Sequence, residues 1–418
     1  MSDILVLGAT GYTGRLIARY LAHHPQRSTF SLALGARSEA KLEALKRDLT
    51  LDDSVALIQV DVSNRLEVEQ AIRNAKVVVS AVGPYWTWGV NVVRYDYLAA
   101  KTGAILVPSC GFDSVPADLL VMLNNRTLKA AAGAQVALAR SLSVYRIAGA
   151  VSGGTFSTAL TLLSEVSAHE LREAWDDYGL STGICGAPSP SPPLCYTIPF
   201  AQPGAYALAW PMMHTNRAIV QRTWGLRALA AQGARGSAET ADEAAQGAYG
   251  PRFTYEECLE LPWPRGWLPV AVLNVAYYFT MAVLAAFPPA RWLLRQLAPA
   301  PGQGPAEASL ERGFMEVTNY ASADTTAGAR PVHVRTTLRG RGDPGYALAS
   351  VMVAEAALGL LLERDALPAI ARGGGLFTPA TALGEVLVRR MERSGRFEFV
   401  SEVVGGAGAG AGEDVKTR

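Results

Sequence analysis

Residues 4–7 form an unbroken apolar run, a glycine-punctuated turn follows at 8–14, and apolar positions then recur at helical spacing over 15–22. That order predicts a buried strand, a tight turn and a helix. The alternation continues, with strands predicted over 30–36, 55–60 and 77–81 and a helix over 39–49. Strands alternating with helices read as βα units, which assemble into a parallel sheet. Beyond them the pattern predicts a strand at 105–108, an amphipathic helix over 158–178, a strand over 330–339, and helices over 346–362 and 381–394. Between 183 and 308 the periodicity fades: 188–193 is proline-rich, 228–250 is rich in alanine and glycine, and 298–308 reads as a linker.

The first turn is Gly8-Ala9-Thr10-Gly11-Tyr12-Thr13-Gly14. Gly8 permits the tight turn, Gly11 lets backbone amides approach a pyrophosphate, and Gly14 lets the helix pack close to the strand. With its flanking strand and helix the motif predicts a dinucleotide site, with Thr10, Tyr12 and Thr13 beside the ligand. The second strand ends in Gly35-Ala36-Arg37-Ser38, so a cation stands where an NAD-specific site would set an acid on the ribose 2′-hydroxyl. Arg37 and Ser38, with Lys41 nearby, suit a 2′-phosphate, and NADP(H) is the expected cofactor; a solvated surface arginine is the alternative. Asp61 reads equally as an adenine-loop residue and as a turn aspartate. After the fourth strand, Val82, Gly83 and Pro84 are expected over the nicotinamide, while Tyr85 or Trp86 either floors a substrate pocket or packs under the next helix.

Candidate catalytic groups are fewer. Ser109-Cys110-Gly111-Phe112-Asp113-Ser114 leaves a strand and opens a helix, so Asp113 and Ser114 either cap that helix or touch substrate. Cys110 has no nearby histidine in sequence to activate it. Tyr97 and Lys101 have the Tyr-x-x-x-Lys spacing that puts a phenol and an ammonium on one helix face, a pairing that chance also produces. Gly153-Gly154 precedes a helix and serves either as a simple turn or as a set of exposed amides in the cleft. The four cysteines and five histidines make no metal-ligand spacing, so no metal site is expected.

GATGYTG, GARS, AVGPYWTWG, VPSCGFDSVPADLL, GDPGYALASVMVAEAALGLLL and GGLFTPATALG together resemble the saccharopine dehydrogenase-like oxidoreductases, a group that includes trans-acting enoyl reductases and lipid-droplet relatives. The resemblance covers most of 1–170 and 310–400. It implies an NADP-binding Rossmann domain over 1–125, a second α/β domain with a mixed sheet over 126–345, and C-terminal helices over 346–400 that pack back on the first domain. It also implies reduction of a lipid. One departure stands out: the Asp-x-Thr/Ser-Gly-Glu turn of relatives is missing, and the 23 residues from Val82 to Ala104 suffice for a single helical crossover. A βα unit is therefore absent, leaving a gap in the sheet or a substitute strand.

Composition sharpens this. The 418 residues are 50% hydrophobic and 18% charged with a net charge of +1, so the chain has enough apolar material for two cores and no bulk field to recruit nucleic acid. The low charged fraction and a mean hydropathy of +0.14 point to apolar surface that faces something other than water. The source is local: 268–287 carries no charge, with Trp263, Arg265 and Trp267 before it and Arg291 and Trp292 after it. Twenty helical residues span about 30 Å, the thickness of a bilayer core, and the flanking groups match interfacial anchors. Segment 263–292 is expected to meet a membrane or lipid-droplet surface on the cytosolic side, the alternative being a buried core helix. No secretory signal opens the chain, and 401–418 reads as a disordered tail. The expectation is an α/β NADPH-dependent oxidoreductase acting on an enoyl or carbonyl group of a lipidic small molecule, with a non-catalytic, membrane-associated NADP-binding scaffold as the alternative.

Overall fold

The computed structural model describes residues 1–83, 95–149, 163–181, 183–202, 205–233, 239–263, 266–297, 304–325 and 332–404. β1 (Ser2–Leu7), β2 (Leu32–Ala36), β3 (Ala56–Gln59) and β4 (Ala75–Ser80) form a parallel sheet in the order β3-β2-β1-β4. Ile4, Leu5 and Val6 of β1 and all of β2 are buried, which is why both read as continuous apolar runs rather than alternating ones. α1 (Tyr12–Ala22), α2 (Glu39–Asp48) and α3 (Arg65–Arg73) are the crossovers.

After α4 (Asp96–Thr102) the chain enters β5 (Ile105–Leu106), which pairs in parallel with β12 (Gly375–Leu376) to make a separate two-stranded sheet. A strand from the far end of the chain thus partners the one that follows the shortened crossover. The guanidinium of Arg222 locks this join, donating to the Leu376 carbonyl (2.6 Å) and to Asp96 (3.2 Å), while Asp96 accepts the Leu376 amide (2.7 Å).

The second sheet has seven strands, β13-β11-β10-β6-β9-β8-β7. They are β6 (Leu138–Ala148), β7 (Tyr196–Thr197), β8 (Tyr206–Ala209), β9 (Thr254–Leu259), β10 (Phe314–Ala323), β11 (His333–Arg341) and β13 (Phe397–Val404). It is mixed, since β6 and β9 pair in parallel and the other neighbours antiparallel. α5 (Val115–Ala132) packs on β10 and β11.

Three expectations need correction. Stretch 183–308 is no irregular insert: it supplies β7, β8 and β9, together with α7 (Met213–Ala231), α8 (Ala241–Gly247), α9 (Trp267–Ala286) and α10 (Pro288–Leu297). α7 shows no amphipathic pattern because it is buried on most sides, Arg217, Gln221 and Arg222 included. The helix expected over 158–178 does not run through: Ser167 opens α6 (Ala168–Trp175) with a capping box to Glu170, and 158–162 lie outside the described residues. The final helices end before Phe397, and β13 takes an edge of the large sheet, so 401–404 belong to a strand rather than to a tail.

α11 (Glu307–Arg312) leads into β10, and a π-turn at Pro344–Leu348 leads into α12 (Ala349–Leu362). α12 is apolar all round because it serves two cores. Ala354, Ala357 and Leu358 pack with Ile4, Val6 and Ile17, whereas Val351, Met352 and Ala356 pack with Leu120, Leu123 and Leu387. Its one charged residue, Glu355, is buried and accepts from Tyr20 (2.6 Å), His24 (3.1 Å) and Arg390 (2.8 Å). Burial pushes this carboxyl up, but the hydrogen bonds from His24 and Tyr20 and the Arg390 charge outweigh it and hold it low.

Candidate functional site

Gly8 ends β1 with φ +79°, and a Cβ there would sit 2.9 Å from the Ala81 carbonyl oxygen and 3.2 Å from a Val82 methyl. A Cβ on Gly14 would overlap the Gly8 carbonyl, 2.8 Å from its carbon and 3.0 Å from Ala9 Cα. Both glycines are therefore sterically required. Gly11 is the N-cap of α1, with no capping side chain and no acid in the first turn. Such a helix start offers amides and a positive dipole end to an anion. Thr10, Gly11, Tyr12 and Thr13 stay partly accessible, Ala81 and Val82 lie against the turn from the end of β4, and Gly83 is exposed with nothing within 4 Å of where its Cβ would be. Tyr12 also donates to the Pro305 carbonyl (2.6 Å) and meets Tyr346 edge to face. Pro84 and Tyr85 lie outside the described residues.

Arg37 is exposed at the end of β2, and Gln59 donates to its carbonyl (3.1 Å). Ser38 caps α2, its hydroxyl accepting from the Lys41 amide (3.4 Å), which leaves its oxygen committed locally. Asp61 accepts from the Ser63 amide (2.9 Å) and hydroxyl (2.8 Å), bonds that hold its carboxyl low, with Arg37 adding a smaller push. Asp61 thus makes the bonds of a turn aspartate, with the Arg37 charge close enough to act on its carboxyl. The cradle, the uncapped helix start and the cation beyond β2 fit a dinucleotide with a 2′-phosphate. Gly8, Gly11 and Gly14 would hold the pyrophosphate and Arg37 the 2′-phosphate.

Asp113 lies in the loop between β5 and α5. It is exposed to solvent, and desolvation by the surrounding protein pushes its carboxyl up. The loop packs on α12, since a Cβ on Gly111 would sit 3.7 Å from Ala349 and 3.9 Å from Val353, and α12 in turn packs on β4. Behind the loop, Tyr145 stacks on Trp210 (4.8 Å between centroids), and Phe112 meets both edge to face. Ser114 occupies the N-cap position of α5 but does not cap: it is buried and donates to Asn216 Oδ1 (3.0 Å), so it cannot touch substrate directly. The Cys110 thiol faces the Val107 carbonyl (3.3 Å), and burial pushes it up to about 12, which suits packing rather than nucleophilic attack. Tyr97 and Lys101 do share one face of α4, with the ammonium 4.7 Å from the ring centre, but Tyr97 is 71% exposed and that face looks to solvent.

Two groups the sequence reading missed organise this region. Asp118 is fully buried on α5 and accepts from Thr223 (2.5 Å) and the Ala380 amide (2.7 Å) at the start of α13 (Pro379–Ala382), which precedes α14 (Glu385–Arg393). It joins two motifs more than 250 residues apart. Glu257 of β9 is also fully buried, and burial pushes it up to about 8. The signal for it was slight: two adjacent acids, Glu256 and Glu257, in a short strand, Thr-Tyr-Glu-Glu-Cys-Leu, and only the fold shows both buried.

The glycine cradle, the uncapped helix start and the cation beyond β2 are those of an NADP-dependent oxidoreductase. Residues 4–141 match the family described as the saccharopine dehydrogenase NADP-binding domain. The chain is 30% identical to the trans-acting enoyl reductase of Mycobacterium bovis over 444 residues, covering 94% of this chain and 96% of that protein. The Mycobacterium ulcerans trans-acting enoyl reductase is 29% identical over 437 residues with the same coverage. The protein belongs to this family of saccharopine dehydrogenase-like oxidoreductases. Apo histidine-tagged saccharopine dehydrogenase (L-Glu forming) from Saccharomyces cerevisiae shares the fold, with a TM-score of 0.51 at 14% identity over 97% of this chain and 100% of that one.

Proposed function

We propose that this oxidoreductase reduces an enoyl or carbonyl group of a lipidic substrate and works at a membrane or lipid-droplet surface. When bound, NADPH supplies the hydride. The reduction also takes up a proton, and we assign its delivery to Asp113, an exposed acid in the loop between β5 and α5 whose carboxyl is pushed up by desolvation.

The observation that carries the lipid reading is α9. Of its 20 residues only Val270, Ala271 and Asn274 are buried, and these dock its first turns on the protein. Asn274 donates to the Leu194 carbonyl (2.7 Å) and accepts the Ala209 amide (3.1 Å). Beyond them Val272, Val275, Tyr278 and Phe279 face outward, continuous with Trp292 and Leu293 of α10. α9 and the helical run Pro344–Leu362, made of the π-turn and α12, are the two among the described residues long and apolar enough to cross a membrane, but two-thirds of the latter is buried in the cores and only 17% of α9. An apolar face of that size in water favours a lipid surface. The Arg291 guanidinium closes the far end of α9 on the Leu284 and Ala285 carbonyls (2.8 and 2.7 Å).

The test uses the full chain with phosphatidylcholine vesicles and trans-2-hexadecenoyl thioesters. The protein is expected to float with vesicles and to oxidise NADPH when the enoyl chain is present. Val272→Asp, Val275→Asp and Phe279→Asp together should abolish flotation and leave NADPH binding intact. Wild type that binds NADPH but oxidises none against a panel of acyl and carbonyl lipids would favour a scaffold instead.

A further inference from the structure

The chain enters α9 from β9 and leaves α10 for β10, and those two strands flank β6 in one sheet. That sheet carries partly exposed ion pairs, from Arg146 and from Arg339 to Glu316 (2.8 and 2.9 Å), so it stays in water. Both ends of the connecting segment are therefore on one side of any membrane, and the segment crosses it an even number of times or not at all.

Two crossings do not fit. α9 has 20 residues, but α10 has 10, about 15 Å of helix against a bilayer core of about 30 Å, and it carries Arg291 and Arg295. Nor is α9 free along its length. Asn274 ties it to Leu194 and Ala209, and the Cys195 thiol faces the Trp267 carbonyl (3.4 Å), which leaves 275–286, about 18 Å, to reach away from the protein. At the far end Arg291 folds α10 back on α9, and Arg295 donates to Ser164 (3.0 Å), just upstream of α6.

The exposed apolar surface is also too broad for one helix of a second copy. Leu268, Val272, Val275 and Phe279 make a straight seam of the kind a partner helix covers. Leu273 and Tyr278, also exposed, stand about 130° and 90° round the helix from the middle of that seam, and Trp292 and Leu293 continue the surface onto α10. Lipid chains cover all of these at once. Trp263 and Trp267 lie at one end of α9 and Trp292 beyond the other, so a helix lying along the interface sets all three indoles at headgroup depth.

We propose that α9 and α10 form an anchor in a single leaflet, entering the lipid from one face and returning to it without crossing. This rests on the lipid-surface reading given above. Such an anchor needs only one leaflet, so it suits a phospholipid monolayer over oil as well as a bilayer.

The test uses the full chain carrying Phe287→Cys with Cys185→Ser and Cys195→Ser, a bimane on the new thiol, and sealed phosphatidylcholine vesicles. The same chain without Phe287→Cys gives the signal of the remaining cysteines. A nitroxide on the upper acyl chain of the phospholipid should quench the bimane, and iodide trapped in the vesicle lumen should leave it unchanged. Wild type should also bind droplets of triolein under a phosphatidylcholine monolayer, and the Val272→Asp, Val275→Asp, Phe279→Asp variant should lose that binding. Quenching by trapped iodide, no quenching by the nitroxide, or binding to vesicles with none to droplets overturns the single-leaflet anchor and leaves the lipid reading standing. Binding to neither surface by a chain that still binds NADPH overturns the lipid reading as well, and a dimer in sedimentation velocity would then put a second copy on α9.

Discussion

Replacing Gly14 by alanine puts the steric argument for the cofactor cradle under direct strain. The added Cβ would overlap the Gly8 carbonyl and stand 2.8 Å from its carbon and 3.0 Å from Ala9 Cα, all backbone atoms with no rotamer to yield. Either α1 slides away or the 8–11 turn opens. Sliding is opposed by Leu16, Ile17 and Leu21, buried on the inner face of α1, each worth about 1.5–3 kcal/mol of burial. The turn is the softer element, with overpacking of this kind costing about 1–3 kcal/mol. If half of that cost falls on the bound state, about 0.5–1.5 kcal/mol, affinity falls about 2- to 10-fold, since 1.4 kcal/mol is a factor of ten. NADPH titration by cofactor fluorescence should therefore show binding weaker by about 2- to 10-fold, with the far-UV circular dichroism of wild type retained. Gly373, with nothing within 4 Å of where its Cβ would be, is the control: Gly373→Ala should bind as wild type does. A Gly14→Ala protein with wild-type NADPH affinity would mean that the pyrophosphate does not lie on this turn.

Arg37→Ala should weaken NADPH by about 10- to 150-fold, the worth of about 1.5–3 kcal/mol for a hydrogen bond to a charged group, and leave NADH within a few-fold; equal losses for both would remove Arg37 from the 2′-phosphate site. Arg390→Ala leaves the buried Glu355 without its guanidinium partner and should cost about 3–5 kcal/mol in urea unfolding, whereas Arg65→Ala, at a solvent-exposed pair, should unfold at the wild-type urea midpoint. The folded chain holds a proton on Glu257 up to about pH 8, while the unfolded chain releases it near 4.5. Stability of wild type should thus fall relative to Glu257→Gln from pH 4.5 to about 8 and run parallel above that; a gap in Tm that stays constant across the range would refute the raised ionisation.

The parts of the fold that were legible in the sequence are those whose burial is simple. β1 and β2 are covered on both faces, so their apolar runs announce them, and Gly8 and Gly14 are fixed by backbone contacts that no other residue satisfies. The centre of the chain was opaque for the opposite reason. α7 buries arginines and glutamine among its apolar neighbours, and β7 and β8 are two and four residues long, so neither period emerges. The candidate site suffered likewise. Asp113 was visible because it follows a strand, but Glu257 and Asn216 acquire meaning only when the fold brings Glu257 to Asn216 across 41 residues of sequence and Asn216 to Ser114 across 102. The charge-free stretch 268–287 and the apolar stretch in 346–362 look alike in composition, and only packing separates an outward helix from a core one.

The double burial of α12 bears on how the protein is made. β1 and α1 leave the ribosome long before Ala354, Ala357 and Leu358, which complete their core and are synthesised some 350 residues later. Until then the nascent sheet keeps an apolar flank uncovered, a condition that invites aggregation or chaperone capture. A fragment ending at residue 141, where the family match stops, should for the same reason be poorly soluble when expressed alone, and supplying α12 in trans should rescue it.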